Sequence, residues 1–288
     1  MANIKDLKKQ IKSTKGTLKI TQAMKLVSAA KLNRAQLSIQ GARPYADELD
    51  ESIKTISALV QGYSHSYLEE KESEQEILLV ISSNKGLCGG YNSQLSRVVK
   101  NFIASKGENL KVYFIGKKVR ELVEKEANVG KSYTFEKSDA SFDEMQKVAS
   151  ELSSLFTSGE AGKIHIAYNI FESAMSIIPT VKQILPLSLD ASVKEELQEK
   201  FPFDFKYDPS PEVILDSLIP EAYTSAVWTA LLDATAAEHG SRMTAMDSAV
   251  GNCKEAIKTL TIKMNKLRQA AITTELIEVV SGAESLNG

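Results

Sequence analysis

Between Glu221 and Gly288 the chain carries no proline, and over much of this stretch its apolar residues fall into one seam. Met243, Met246, Val250, Cys253, Ile257, Leu260, Met264, Leu267 and Ala271 advance in steps of three and four. That spacing keeps a narrow stripe facing a partner helix and is the sequence mark of a left-handed coiled coil. Traced backward, the seam reaches Leu232 and Leu218 but softens into Ala, Ser, Thr and His239. Asp208, Pro209, Ser210 and Pro211 supply a cap and first-turn prolines, so the helix is predicted to begin near Pro211 or Glu212. About 70 residues of helix would span on the order of 100 Å. A compact domain of this size cannot enclose that length, so the helix is expected to project.

The other end of the chain repeats the pattern. Ile4, Leu7, Ile11, Thr14, Leu18 and Thr21 step by three and four, and Ile53, Ile56 and Val60 resume the spacing. The first proline is Pro44, so Met1–Arg43 can run as one helix. Two terminal seams in one chain pair most simply with each other, antiparallel; pairing with a second copy is the alternative. Beyond the seam, Ala270, Ala271, Ile272, Leu276, Ile277, Val279 and Val280 fall on several faces. A helix apolar nearly all round is normally buried all round. Either its own domain encloses it or a sleeve from other chains does, and a projecting helix favours the sleeve.

The middle has a different texture. Five of the seven prolines lie between Pro179 and Pro211. Residues 76–82 form a continuous apolar run of strand length, as in a buried parallel strand. A glycine-rich turn and a helical pattern through Leu95, Val98, Val99, Phe102 and Ile103 follow. Residues 111–115 read as a second strand, 117–125 and 141–157 as helices, and 163–171 and 176–185 as two strands joined by a short turn. Strand and helix in alternation argue a small doubly wound domain with a hairpin at one edge. The fold expected is therefore α/β: a long antiparallel two-helix coiled coil from the terminal helices plus a central Rossmann-like domain. Its divisions are an N-terminal helix over 1–60, the α/β domain over 61–210 and a C-terminal helix over 211–288.

Composition is that of an ordinary soluble globular chain, 43% hydrophobic and 25% charged. The net charge of −2 conceals polarity, because residues 1–35 sum to +8 and the next forty to −5. A basic end suits nucleic acid, anionic lipid or an acidic protein, or is simply a solvated helix face. No aliphatic run approaches the length of a membrane span, and the opening residues lack the apolar core of a secretory signal. Two cysteines, Cys88 and Cys253, make no disulfide framework and suggest a reducing compartment.

Catalytic chemistry is hard to find. The turn Gly86-x-x-Gly89-Gly90 matches neither dinucleotide nor phosphate-loop spacing, and Lys163 after Gly162 is followed by Ile164 where Ser or Thr should hold magnesium. A tight strand-to-helix turn explains those glycines better, although a nucleotide-binding enzyme using Gly86–Gly90 stands as the alternative. His65, His165 and His239 lie far apart in sequence, and His165 reads as a packed strand histidine. Cys88 reads as a small buried residue rather than a reactive thiol, and no zinc-ligand spacing is present. A homodimeric coiled-coil adaptor with a nucleic-acid-binding N-terminus is a third reading. No catalytic residue, metal or cofactor is expected.

Three blocks carry a resemblance. Residues 20–31 (ITQAMKLVSAAK), residues 82–92 (SSNKGLCGGYN), and residues 242–249 (RMTAMDSA) with 268–278 (RQAAITTELIE) resemble the gamma subunit of the F-type ATP synthase. The resemblance follows the whole chain in order. It implies a central-stalk rotor that does no bond chemistry itself, turning inside a ring of alpha and beta subunits and coupling transmembrane proton flow to ATP synthesis or hydrolysis. It implies further contacts with the epsilon subunit and the membrane ring of c subunits, one copy per complex, and no nucleic acid. Met24 and Lys25 match the segment facing an acidic loop of the beta subunit. Arg242, Gln269, Thr273, Glu275 and Glu278 match positions of coupling contacts with the ring or across the coiled coil. Phe205, Tyr207 and Asp208 match the foot that meets the membrane rotor. The chloroplast members' regulatory cysteine pair is missing here. The expected place is the cytoplasmic face of a bacterial inner membrane, as a peripheral protein.

Overall fold

The computed structural model describes residues 4–60, 63–135, 141–187 and 206–287. Two terminal helices, α1 (Ile4–Leu59) and α5 (Pro211–Asn287), bracket the remaining elements. Between them run β1 (Glu76–Ile81), α2 (Tyr91–Lys106), β2 (Leu110–Ile115), α3 (Lys118–Val123), β3 (Asn128–Tyr133), α4 (Phe142–Thr157), β4 (Lys163–Phe171) and β5 (Ile177–Leu185). Two compact units result, Met1–Ser28 with Met243–Gly288, and Ala29–Arg242.

In the larger unit the strands form one sheet in the order β3-β2-β1-β4-β5. The first four are parallel, and β5 returns antiparallel on β4 as the expected edge hairpin. The continuous apolar run of β1 reflects burial on both sheet faces. Ile77, Leu79 and Ile81 pack against Met145, Leu152 and Phe156 of α4 and Tyr223 and Val227 of α5. Leu78 and Val80 face Leu95 and Val99 of α2 and Val119 of α3. The period-two alternation of strand side chains thus feeds two layers of helix, the doubly wound arrangement. Serine at position 141 caps α4 through the backbone NH of Glu144, whose carboxylate returns to the Ser141 NH, a complete capping box.

Strand β3 is the element that periodicity misses. It is a half-exposed edge with only Val129 and Tyr133 as large apolar residues, and its register with β2 shifts after Val112. Gly130 sits there because a Cβ would lie 2.9 Å from the Tyr113 ring. Both long helices run through a proline, Pro44 in α1 and Pro220 in α5, so α1 does not stop at Arg43. Beside Pro44, Arg43 donates to Asp233 at 2.7 Å and to the Phe171 carbonyl at 3.4 Å, fastening α1 at the point where proline deletes a helical hydrogen bond. Leu49 and Ile53 of α1 close on Leu215 and Ile219 of α5 in a further apolar cluster.

Helix α5 is most enclosed where its apolar seam is softest. Ala234, Ala236, Ala237, His239 and Arg242 are all buried. The softened seam before Met243 is therefore a small-residue stretch packed on several sides within the larger unit.

Candidate functional site

From β1 the strand order leaves in both directions, to β2 and to β4. Doubly wound sheets bind ligands at such a switch point, beyond the carboxyl ends of the strands. Here that crevice holds the chain's own residues. The Tyr91 hydroxyl, at the start of α2, donates to the Ala234 carbonyl of α5 at 3.1 Å. Asn169 of β4 donates to the Tyr91 carbonyl at 3.4 Å. Gly240 brings α5 so near the β4–β5 turn that a Cβ would stand 3.2 Å from the Phe171 ring and 3.3 Å from the Ala174 Cα.

The glycine-rich turn closes this site. Asn92 donates to the Ser83 hydroxyl at 2.7 Å, and that hydroxyl donates to the Lys85 carbonyl at 2.8 Å. Arg242 then reaches in from α5. Its Nη2 donates to the carbonyls of Lys85 (3.2 Å) and Gly86 (3.5 Å), while Nη1 pairs with Glu238 at 2.7 Å and lies 3.4 Å from His239 Nδ1. Phosphate cradles aim backbone NH groups at an anion. These carbonyls instead converge on a guanidinium, so the turn does not support the nucleotide-binding alternative. Only Gly89, at φ +56°, needs glycine's freedom, and Leu87 adopts φ +62° without it. Cys88 is buried beneath the turn, and burial pushes its thiol up, against smaller opposing effects from Ser83 and Arg242. It is held as packing, not as a nucleophile.

His165 is likewise a packed residue. Its Nε2 lies 2.8 Å from Glu76, which also accepts from Lys106 at 2.8 Å. Burial pulls the imidazole below its ordinary value, with the Glu76 hydrogen bond opposing in part. Among the described residues no group of three His, Cys, Asp or Glu side chains could hold a metal ion.

The smaller unit contains the paired seams. Leu7, Thr21 and Ser28 of α1 and Met246 and Val250 of α5 are buried, and the other seam positions are half-buried except Leu267, which is exposed. Thr21 satisfies its hydroxyl on the carbonyls of Thr17 and Leu18, which lets a polar residue occupy the seam. Lys25 Nζ meets Asp247 Oδ1 at 2.5 Å. Leu7, eighteen residues before Lys25, is buried in a unit whose other segment starts at Met243. Its partner must therefore lie further along α5 than Asp247, which makes the pair antiparallel. The partner seam ends there, and Ile272, Leu276, Ile277, Val279 and Val280 are left 48–70% exposed.

The residues singled out by resemblance are thus scattered over different environments. Met24 and Lys25 are half-buried on α1. Gln269, Thr273, Glu275 and Glu278 are exposed on α5, with the Thr273 hydroxyl bonded to the Gln269 carbonyl at 2.9 Å. Arg242 stands apart from them, 8% exposed and engaged within the chain. Tyr207 is half-buried and Asp208 exposed just before α5, while Phe205 lies outside the described residues. Sequence reasoning missed the partners of Arg242. Glu238, four residues earlier on the helix, was the available signal. It also missed Asp233, which accepts from Arg43 and is only 7% exposed at its side chain.

A Rossmann-like sheet whose switch-point crevice is filled by its own helix, and terminal helices paired as an antiparallel coiled coil, define a coiled-coil α/β subunit rather than a nucleotide-binding domain. The ATP synthase family model matches residues 3–286. The chain belongs to the ATP synthase gamma chain family. It is 39% identical over 291 residues to the ATP synthase gamma chain of Geobacter metallireducens, covering 100% of both chains. It is 39% identical over 292 residues to that of Flavobacterium johnsoniae, again covering 100% of both. Among solved structures, a chain of the Euglena gracilis mitochondrial ATP synthase rotor superposes with a TM-score of 0.64 at 17% identity, covering 93% of this chain and 98% of that one. A chain of the Tetrahymena thermophila mitochondrial central stalk gives 0.58 at 23%, covering 80% and 99%. These two likenesses establish the shared fold.

Proposed function

We propose that this chain is the rotating central-stalk subunit of an F-type ATP synthase and couples proton flow to ATP synthesis or hydrolysis without bond chemistry of its own. The observation that carries the reading is the bare end of α5. Ile272, Leu276, Ile277, Val279 and Val280 continue the helix past its partner seam with their side chains exposed. Apolar surface of this kind marks an interaction site. Because burial of apolar area is non-directional, a hydrophobic sleeve formed by alpha and beta subunits can hold the tip at every angle. The asymmetry of the coiled coil then biases each catalytic site in turn, and nucleotide occupancy biases rotor angle in return.

In this reading Met24 and Lys25 face an acidic loop of the beta subunit, and Gln269, Thr273, Glu275 and Glu278 meet the ring. Tyr207 and Asp208, with Phe205, form the foot on the c ring beside the epsilon subunit, with one rotor copy per complex. No described helix is long and apolar enough to cross a membrane, so attachment at the cytoplasmic face of the bacterial inner membrane runs through the other subunits. The test is co-purification with alpha and beta subunits. A stable complex is expected, in which a bead attached to this chain turns during ATP hydrolysis. Failure to assemble, or hydrolysis with a stationary bead, sinks the reading.

A further inference from the structure

Within the Ala29–Arg242 unit, residues of α1, α4 and α5 surround a cavity of about 590 Å³. Its size falls in the range of small-molecule sites, roughly 300–1,000 Å³. Tyr45, Phe142 and Trp228 supply rings, Gln146 and Thr224 supply polar edges, and Glu221 supplies a carboxylate. Phe142 and Trp228 stand 5.5 Å apart at 86°, so a guest in the corner between them meets the face of one ring and the edge of the other. Tyr45 and Phe142 are 52% and 43% exposed, unusually open for aromatic residues in a folded unit.

The charge of this site has one sign. Glu221 accepts a hydrogen bond from the Tyr45 hydroxyl at 2.5 Å. A carboxylate offers about four lone-pair positions, so one neutral donor leaves most of its capacity open. Among the described residues lining the cavity none is a lysine or arginine. On α1, Glu48 stands one turn beyond Tyr45 and adds negative charge, while Asp50 is paired with Lys54. An anion finds no counter-charge here, and a purely apolar guest would leave the carboxylate facing it. Aromatic faces beside an open carboxylate are the chemistry that recognises an organic cation, through ring quadrupole and ion pair together.

We infer that this cavity binds a small aryl- or alkylammonium ion, its charge against Glu221 and its apolar body against Phe142 and Trp228. Such a guest touches α1, α4 and α5 together, so it binds the folded unit alone and raises its melting temperature.

Trp228 is the chain's single tryptophan, so its emission reports this cavity directly. The full-length chain is titrated with benzyltrimethylammonium chloride at constant ionic strength. A saturable change in emission is expected, with benzyl alcohol binding about tenfold or more weakly. Glu221→Gln should weaken the cation by a similar factor, about tenfold, with melting of the unliganded chain unchanged. Phe142→Leu, at an open surface position, should also weaken it. Linear quenching without saturation overturns the inference, as does equal affinity for the alcohol. So does full affinity in Glu221→Gln. If that variant melts early, the cation-to-alcohol comparison on the unmodified chain and the Phe142→Leu titration decide the matter.

Discussion

Replacing Arg242 by alanine should cost the isolated chain about 3 kcal/mol, and the figure follows from what the guanidinium holds. Three acceptors lose their donor: the Glu238 carboxylate and the carbonyls of Lys85 and Gly86. Removing one partner of a buried ion pair costs about 3–5 kcal/mol because the other charge is left desolvated. Glu238 keeps 22% of its side-chain exposure, which places the loss at the low end. The Lys85 carbonyl still accepts from Ser83, so its orphaning adds little. Arg242→Lys keeps the charge but not the fork that reaches helix and turn together, and should cost about half as much. Urea unfolding followed by far-UV circular dichroism measures both variants, and amide exchange over residues 83–91 should accelerate in each. A Glu238→Gln and Arg242→Ala double-mutant cycle should show about 1 kcal/mol or more of coupling. If Arg242→Ala unfolds within about 0.5 kcal/mol of the parent and the turn exchanges as before, the pin is energetically idle and the reasoning fails. A loss of ATPase coupling with that unchanged stability would assign Arg242 to another subunit instead.

Acid should weaken the fold in two stages. The unfolded chain takes up a proton near the ordinary histidine value of 6.5 while buried His165 resists it, so stability falls as pH drops below that value. Burial would raise the Glu76 carboxyl, but hydrogen bonds from Lys106 and His165 outweigh it and hold it low. Its contribution is therefore present above about 4.5 and lost as pH falls through the lowered value. The urea midpoint should drop between about pH 7.5 and pH 5.5, and His165→Gln should flatten that slope; an unchanged slope contradicts the assignment. A thiol reagent should modify half-buried Cys253 well before Cys88, whose burial both blocks access and pushes the thiol up; simultaneous labelling would show an open turn. Gly116→Ala should cost more than about 2 kcal/mol, because Gly116 sits at φ +89° and its new Cβ would fall 2.0 Å from the Ser82 carbonyl oxygen; native-like urea unfolding would refute it. Lys25→Glu faces Asp247 across a pair 40% and 60% exposed, so it should cost the isolated chain about 1 kcal/mol or less. A larger fall in coupled ATPase activity of the assembled complex is expected, and early unfolding would show Lys25 to be structural.

The coiled-coil seam was legible because it depends on one variable, the spacing of apolar residues. Met246, Val250, Leu7 and Thr21 lie where the three-four rhythm puts them. Strands β1, β2 and β4 were legible for a related reason, since burial on both faces forces an unbroken apolar run such as that of β1, and the edge strand β5 was legible as the return of a hairpin across a short turn. Strand β3 was not, because an edge strand buries little and its place is set by backbone pairing with β2. The enclosed part of α5 was also hidden. Alanines, a histidine and an arginine carry no apolar signal, yet close approach at Gly240 and hydrogen bonds from Tyr91 and Arg242 put them inside. The three sequence blocks carried the resemblance, but not the fact that Arg242 is held by its own turn.

One helix therefore holds two kinds of contact in two compact units. From Tyr223 to Arg242, α5 is tied to the sheet unit by directional bonds: Tyr223 to the Ala149 carbonyl at 3.0 Å, Tyr91 to Ala234, Arg43 to Asp233, and Arg242 to the glycine-rich turn. Each fixes an angle, because hydrogen-bond energy falls steeply with misalignment. From Ile272 to Val280 the same helix offers mainly apolar surface, whose burial depends on area and not on angle. In the proposed rotor role, torque transmission needs both properties along one helix. The first segment must not turn relative to its own domain, and the second must turn without breaking bonds to whatever surrounds it. A wholly polar tip would stall at each registered hydrogen bond, and a wholly apolar anchor would slip.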